Sequence, residues 1–430
     1  MNMPPQVVAI LNKLNNRGYE AYVVGGCVRD ELLGLEPHDW DVTTSAFPDE
    51  IQRCLSDFKI IETGIEHGTV TAFIDKLPVE ITTFRVDGTY SDNRHPDKVQ
   101  FTRDITEDLA RRDFTINAIA YHPEAGIIDC FHGVSDINHR IIRCVGNPSL
   151  RFEEDGLRIL RALRFASVLG FTIDSETSRS LIQKRGLLNQ IAFERIREEF
   201  IKLICGKNTE SILQSYYEVI EVFIPEIHTL YYDEPGIWKH TLKCMTATEA
   251  TPVLRMTMLL HDFNDKGGEI AQRILKRLRF DNKTVNKISR LIQYYDVPIS
   301  SNEVSIKHFL NEMGLEDFKL LLNIKRAIAL AGSSDNRSEI DKLKKIDSVI
   351  CDIIESNSCF SLDGLAITGN DLIAAGMPKG PEIGSLLKIL LNDVIENQCA
   401  NSYSALLNRL KDRKAGLKNE ACRTHHKPGL

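Results

Sequence analysis

Gly25-Gly26-Cys27-Val28-Arg29-Asp30, followed nine residues later by Asp39-Trp40-Asp41, is the stretch that decides the fold. Tyr22-Val23-Val24 before the glycines reads as a short buried strand, and Val28 to Leu33 as the helix leaving it. Glycine tolerates positive φ and has no Cβ, so the turn between them lets backbone N–H groups face a triphosphate at a helix start. Successive strand side chains alternate faces, so Asp39 and Asp41 project together while Trp40 points the other way. Two carboxylates converging on one place repel unless cations sit between them, and Mg²⁺ favours such hard oxygen ligands. Strand, glycine turn, helix and acidic strand in this order predict an α/β head suited to nucleotidyl transfer.

The 430 residues exceed one ordinary core, and two to four domains are expected. A hydrophobic content of 43% with 26% charged residues is that of a soluble globular chain. The net charge of −7 excludes a whole-surface polyanion binder but leaves room for a local basic groove. Met1 to Pro5 lacks a signal-peptide pattern, and no apolar run reaches membrane-spanning length. Ten scattered cysteines, with no Cys-x-x-Cys pair, point to reduced thiols in a cytoplasmic protein.

Val70 to Ile74 and Val79 to Phe84 are β-branched and predict strands, with Asp75 to Pro78 as the turn between them. Glu80 is either an edge-strand carboxylate facing water or a third acidic group beside Asp39 and Asp41; its β-branched neighbours favour the second. Three acids could hold two Mg²⁺ about 3.5–4 Å apart and orient a 3′-hydroxyl for in-line attack on an α-phosphate. Residues 85–97 are polar, with Gly88 and Pro96, and predict a long mobile loop. Arg111-Arg112-Asp113 opens a helix-like run through Ala120, and its arginines would serve either as bidentate phosphate donors or as a solvated basic pair.

After about residue 150 helical periodicity dominates, so the fold class expected is α+β, an α/β head followed by helices. A helix predicted from Glu153 to Leu169 is apolar nearly all round, yet Asp155, Arg158, Arg161 and Arg164 recur every third residue. Three-residue neighbours lie about a turn apart and reach one ligand. The alternative is internal pairing to Glu153, Glu154 and Asp155. Cytosine and adenine both present an amino donor beside a ring-nitrogen acceptor. Asp155 would accept from the first and Arg158 donate to the second, whereas uracil and guanine would mismatch both.

These residues resemble those of the bacterial class II tRNA nucleotidyltransferase (CCA-adding enzyme) and poly(A) polymerase family. The matching stretches are VVGGCVRDELLGLEPHDWDVTT, TGIEHGTVTAF, VEITTFRVDGTYSDNRHPDKVQF, DLARRDFTINAIAY, EEDGLRILRALRFASVLGF and FERIREEF, in the family's order over roughly the first 200 residues. The resemblance implies a nucleotidyltransferase head at 1–145, an all-α neck at 146–205, a body at 206–330 and a tail at 331–430. It implies Asp39 and Asp41 as catalytic Mg²⁺ ligands; Glu80 as an assisting catalytic group comes from the residue reading above. It implies nucleotide binding by Gly25, Gly26, Arg29, Arg111, Arg112, Asp113, Asp155, Arg158, Arg161 and Arg164.

The expected reaction is template-independent addition of CCA to tRNA from CTP and ATP, with tRNA bound along its acceptor arm. The loop at 85–97 favours CCA or A-only addition over CC-only addition, and the segment ITGNDLIAAGMPKGPEIGSLLKILLNDVI is similar to tails of Gram-positive-type CCA-adding enzymes. A-only addition, poly(A) synthesis and an inactive RNA-binding protein are the rivals. Trp238 to Thr241 and Leu259 to Asp262 resemble a degenerate HD-type body. Basic clusters at 276–279, 342–345 and 409–414 are candidate phosphate contacts.

Overall fold

The computed structural model describes residues 1–412 apart from 63, 89–98, 234, 264–266 and 333–335. It divides into two compact units. One holds Met1–Leu242, Ala250–Met256 and Gln272–Val285; the other holds Lys243–Glu249, Thr257–Ala271 and Asn286–Leu430. No described helix is long and apolar enough to cross a membrane.

The first unit begins with α1 (Pro5–Asn15), β1 (Ala21–Val24), α2 (Gly26–Leu32), β2 (Asp41–Thr44) and α3 (Pro48–Cys54). Next come β3 (Lys59–Ile61), β4 (Thr69–Ile74), β5 (Leu77–Thr83), β6 (Arg85–Asp87), β7 (Val99–Phe101), α4 (Ile105–Ala110), β8 (Ala120–His122) and β9 (Gly126–Ile128). Seven of these strands form one sheet in the order β3-β4-β5-β2-β1-β8-β9. Only β2 and β5 run parallel, and their register sets Asp41 beside Glu80 and Thr43 beside Thr82. Val7, Ile10, Leu11 and Leu14 on α1 and Val23, Val42, Val70, Val79 and Ile81 on the strands are buried to within 1%. The strands therefore form because β-branched side chains fill both the sheet and the helix layer over it.

The chain continues with α5 (Gly133–His139), α6 (Pro148–Glu154), α7 (Leu157–Leu169), α8 (Ser175–Lys184) and α9 (Phe193–Ile204). A short β10–β11 pair (Ile141–Ile142 with Thr172–Ile173) joins the ends of α5 and α7. The second unit is helical. Leu365, Ile367, Leu372, Leu390, Leu391, Ile395, Leu406 and Leu410 form one of its cores, and Arg409 Nε bonds Asp393 there at 2.9 Å.

Four expectations need correction. The helix predicted from Glu153 is broken at Asp155, whose extended backbone (φ −141°, ψ 106°) ends α6 before Gly156 starts α7. The run predicted from Arg111 to Ala120 is no helix: α4 ends before Arg111, Thr115–Asn117 make a single 3-10 turn, and Ala120 opens β8. The polar segment after Arg85 starts as a strand, because β6 pairs antiparallel with β7; its residues 89–98 lie outside the described ones. The turn between β4 and β5 is only Asp75-Lys76, both at positive φ (48° and 70°), so Leu77 and Pro78 already pair. In the first three cases contacts with distant chain overrode the local pattern, and in the fourth the hairpin is tighter than the four-residue turn expected.

Candidate active site

Gly25 adopts φ 82° and ψ −128°, a conformation that side chains oppose, and donates its N–H to the Ile119 carbonyl at 3.1 Å. A Cβ there would lie 3.0 Å from Arg112 Nη1. The missing side chain thus brings the turn and that guanidinium together. Gly26 starts α2, and Arg29, one turn on, is 9% exposed.

Beyond α2 the predicted alternation appears. Trp40 is 5% exposed and points inward, while Asp39 is exposed and Asp41 half-buried. Glu80 stands beside Asp41 on a central strand, with its side chain exposed. Burial pushes the Asp41 carboxyl up to about 6; Arg112 opposes the rise, and the charges of Glu80 and Asp39 add to it. Asp41 also sits near Cys27, whose thiol burial pushes up to about 11. Among these groups the negative charges outnumber the one cation. A hard divalent ion would relieve that imbalance, and Asp39 and Asp41 offer the oxygens it prefers, with Glu80 adding negative charge beside them.

The arginines beside this cluster are held from below by Asp108, which is fully buried on α4. Arg111 reaches Asp108 Oδ1 through Nε and Nη2 at 2.9 and 2.7 Å. Arg112 Nη2 lies 3.5 Å from Oδ2, and the Thr43 hydroxyl donates to the same oxygen at 3.1 Å. Burial would raise the Asp108 carboxyl, but the two guanidiniums outweigh it and hold it below its ordinary value. Thr43 shares the Asp41 face of β2, so one carboxylate locks the arginine pair to the acidic strand.

A second network faces α7. Arg29 Nη1 donates to Asn117 Oδ1 at 2.6 Å, and Asn117 Nδ2 donates to Asp113 Oδ1 at 3.1 Å. Arg161 on α7 grips Asp113 Oδ2 through Nε and Nη2 at 2.8 and 2.6 Å. Burial would raise Asp113, yet Arg161, the Asn117 hydrogen bond and the Arg158 charge hold it far below the usual carboxylate range. Glu199 of α9, 7% exposed, lies 3.8 Å from Arg161 and 2.9 Å from Arg164 Nε. The latter is an ion pair without hydrogen-bond geometry.

Asp155 and Arg158 lie at the break between α6 and α7. Asp155 Oδ1 accepts from the Leu157 N–H at 3.0 Å and its Oδ2 from Arg195 at 3.1 Å. Arg158 donates to Glu154 at 2.6 Å, to the Arg151 carbonyl at 3.2 Å and to the Arg111 carbonyl at 3.1 Å. Internal pairing is therefore present for Arg158, but Arg161 and Arg164 take Asp113 and Glu199 rather than the acids of their own segment. Arg111 carries both contacts: its side chain reaches Asp108 and its carbonyl reaches Arg158.

Sequence reading missed Asp108, Asn117, Phe165 and Glu199, whereas Glu154, an expected pairing partner, takes Arg158. Glu199 had a signal, being a carboxylate on the apolar face shared by Ile196, Phe200 and Leu203. Asn117 interrupts the apolar run 114–120. Of the basic clusters, Arg277 is held by Glu226 at 2.5 and 3.0 Å and Lys344 by Asp341 at 3.1 Å.

The profile of the poly A polymerase head domain matches residues 21–143. A probable RNA- and SrmB-binding site of polymerase A matches 170–230, and tRNA nucleotidyltransferase domain 2 matches 254–410. A CCA-adding enzyme of Lactobacillus delbrueckii subsp. bulgaricus is 36% identical over 407 residues, 93% of this chain and 96% of the relative. One from Enterococcus faecalis is 33% identical over 413 residues, 95% of this chain and 96% of its own. The crystal structure of the Bacillus stearothermophilus CCA-adding enzyme in complex with CTP superposes with a TM-score of 0.77 at 30% identity, covering 97% of this chain and all of that one. The Thermotoga maritima CCA-adding enzyme complexed with tRNA shares the fold, with a TM-score of 0.61 at 23% identity over 95% of this chain and 96% of that one. With two carboxylates and a glycine turn beside an anchored arginine pair, and with similarity running nearly end to end, this chain belongs to the CCA-adding enzyme family of tRNA nucleotidyltransferases.

Proposed function

We propose that this chain adds C, C and A to the 3′ end of tRNA from CTP and ATP, releasing pyrophosphate, without a nucleic-acid template. The observation that carries the chemistry is Asp41 set beside Glu80 by the β2–β5 register, with the charges of Arg112 and Asp39 acting on the same half-buried carboxylate. Asp39 and Asp41 would hold Mg²⁺, with Glu80 assisting, and a divalent ion there would supply activation of a 3′-hydroxyl and charge neutralisation at the α-phosphate. Gly25, Gly26 and Arg29 receive the triphosphate, and Arg111 and Arg112, fixed by Asp108, donate to its oxygens.

Base choice falls to Asp155 and Arg158, with Arg161 and Arg164 supporting the pocket. Glu154 and two backbone carbonyls hold the Arg158 guanidinium. A fixed donor beside a fixed acceptor admits cytosine and adenine, and each unmet buried hydrogen bond costs a wrong base roughly 1–3 kcal/mol. We assign residues 1–145 to the head, 146–205 to the neck, 206–330 to the body and 331–430 to the tail. The work is cytoplasmic, in keeping with described cysteines that are all free.

The test is incubation with tRNA lacking its CCA end and labelled CTP alone. Incorporation is expected; A-only addition and poly(A) synthesis would leave the tRNA unlabelled. Asp39→Asn should abolish incorporation with the fold retained, and wild-type turnover in that variant would remove the metal assignment. Arg158→Ala should admit UTP and GTP while triphosphate affinity stays within about threefold, because one base-edge donor is lost and no phosphate donor. Unchanged nucleotide choice would overturn the base-reading role.

A further inference from the structure

Phe165, on α7 and 7% exposed, carries three guanidiniums around one ring. The Arg164 carbon lies 3.9 Å from its centroid, that of Arg29 5.1 Å and that of Arg161 5.5 Å. Arg29 comes from the head helix and the other two from the neck. Phe114, beside Asp113, meets the ring edge-on at 5.8 Å and fixes its plane.

Three cations so close repel one another. Burial lowers Arg164 below its ordinary value, Glu199 opposes this, and the charges of Arg161 and Arg29 add to it. Three carboxylates answer them: Asp30 on Arg29 at 2.8 Å, Asp113 on Arg161 at 2.6 Å and Glu199 on Arg164 at 2.9 Å. Glu199 also lies 3.8 Å from Arg161, so the carboxylates answer the arginines singly or in pairs, whereas the ring lies against all three. The face of a benzene ring carries negative potential and attracts cations within about 6 Å, which no aliphatic side chain of the same volume does.

We propose that Phe165 is a positioning residue whose π face gathers Arg29, Arg161 and Arg164 into one rigid donor set for the nucleotide. The inference rests on the nucleotide-binding role assigned above to these arginines. The ring touches no substrate and acts only through them. Because the three share it, its loss weakens CTP and ATP binding alike and leaves the choice between bases untouched.

The test replaces Phe165 in the full-length protein with mono-, di- and trifluorophenylalanine, which withdraw electron density from the ring face at nearly constant shape. Kd for CTP and for ATP with Mg²⁺ is read by calorimetry. The expected result is a stepwise rise, in parallel for the two nucleotides, reaching about tenfold for the trifluoro ring. Phe165→Tyr should bind as wild type, and Phe165→Leu should bind more weakly than the trifluoro variant. A flat fluorine series, with or without a change in Tm, would overturn the proposal, since packing alone does not follow ring electronics. Arg29→Lys keeps the two readings apart. Unchanged affinity there would overturn the nucleotide-site assignment, whereas lost affinity with a flat fluorine series would overturn the role of the ring alone.

Discussion

Asp41 at the start of β2 and Asp113 beside the neck are both withdrawn from water, and they titrate in opposite directions. Burial lifts the Asp41 carboxyl to about 6; Arg112 opposes the rise, and the charges of Glu80 and Asp39 add to it. Asp113 is gripped by Arg161, bonded by Asn117 and faced by Arg158, and it falls far below the ordinary range. The neck network arrives with its charges already answered by protein groups. The strand-end cluster leaves negative charge for an external cation to neutralise. A buried network that completes its own charge balance holds its donors in place, and one that does not leaves a charge for an added ion to answer.

The contrast breaks most visibly at Asp113. Asp113→Ala strands Arg161 and frees Asn117, and should cost about 2–3 kcal/mol in the first unfolding transition. That lies below the cost of a fully buried pair because the Arg161 side chain is 32% exposed. Denaturant unfolding measures it, and a loss under about 0.5 kcal/mol would show that the network is not structural.

A smaller effect separates the two carboxylates by pH. With its folded value raised, Asp41 adds stability to the metal-free protein that is present below its unfolded value and lost as pH rises through about 6. Mg²⁺ competes for the same carboxylate, so its affinity should fall by up to about tenfold per pH unit below 6. Asp113, with its value depressed, adds stability that is present above its unfolded value and lost only as pH falls through its low folded value. Between pH 7 and 5 calorimetry should therefore show metal binding weaken while the neck ion pairs stay intact. Glu80→Gln sharpens the point: removing a like charge should move the Asp41 titration, followed by NMR, below about 6. No movement would show that Glu80 stands apart from the cluster.

Much of the head was legible because its signals are local. The strand before the glycines, the helix after them and the alternation of Asp39, Trp40 and Asp41 all lie within about twenty residues, and each needs only backbone geometry. Three of the four errors arose where distant chain intervened, and the fourth was a hairpin turn tighter than expected. Asp155 reads as helix from its neighbours, but its side chain caps α7 and bonds Arg195, forty residues on. Arg85 to Asp87 reads as loop because polar residues follow, yet β7 supplies a partner strand.

The sequence by itself determined which groups are chemically present and on which local face: a glycine turn, two acids at strand spacing, and arginines at every third helical position. Tertiary structure alone decided who answers whom. Arg161 finds Asp113 across 48 residues, Arg29 finds Asn117 across 88, and Glu80 reaches Asp41 by the register of a parallel strand pair. Periodicity is set by the nearest few residues and can be read along the chain. The partner of a buried charge is set by which surfaces pack together, and that depends on the whole unit at once.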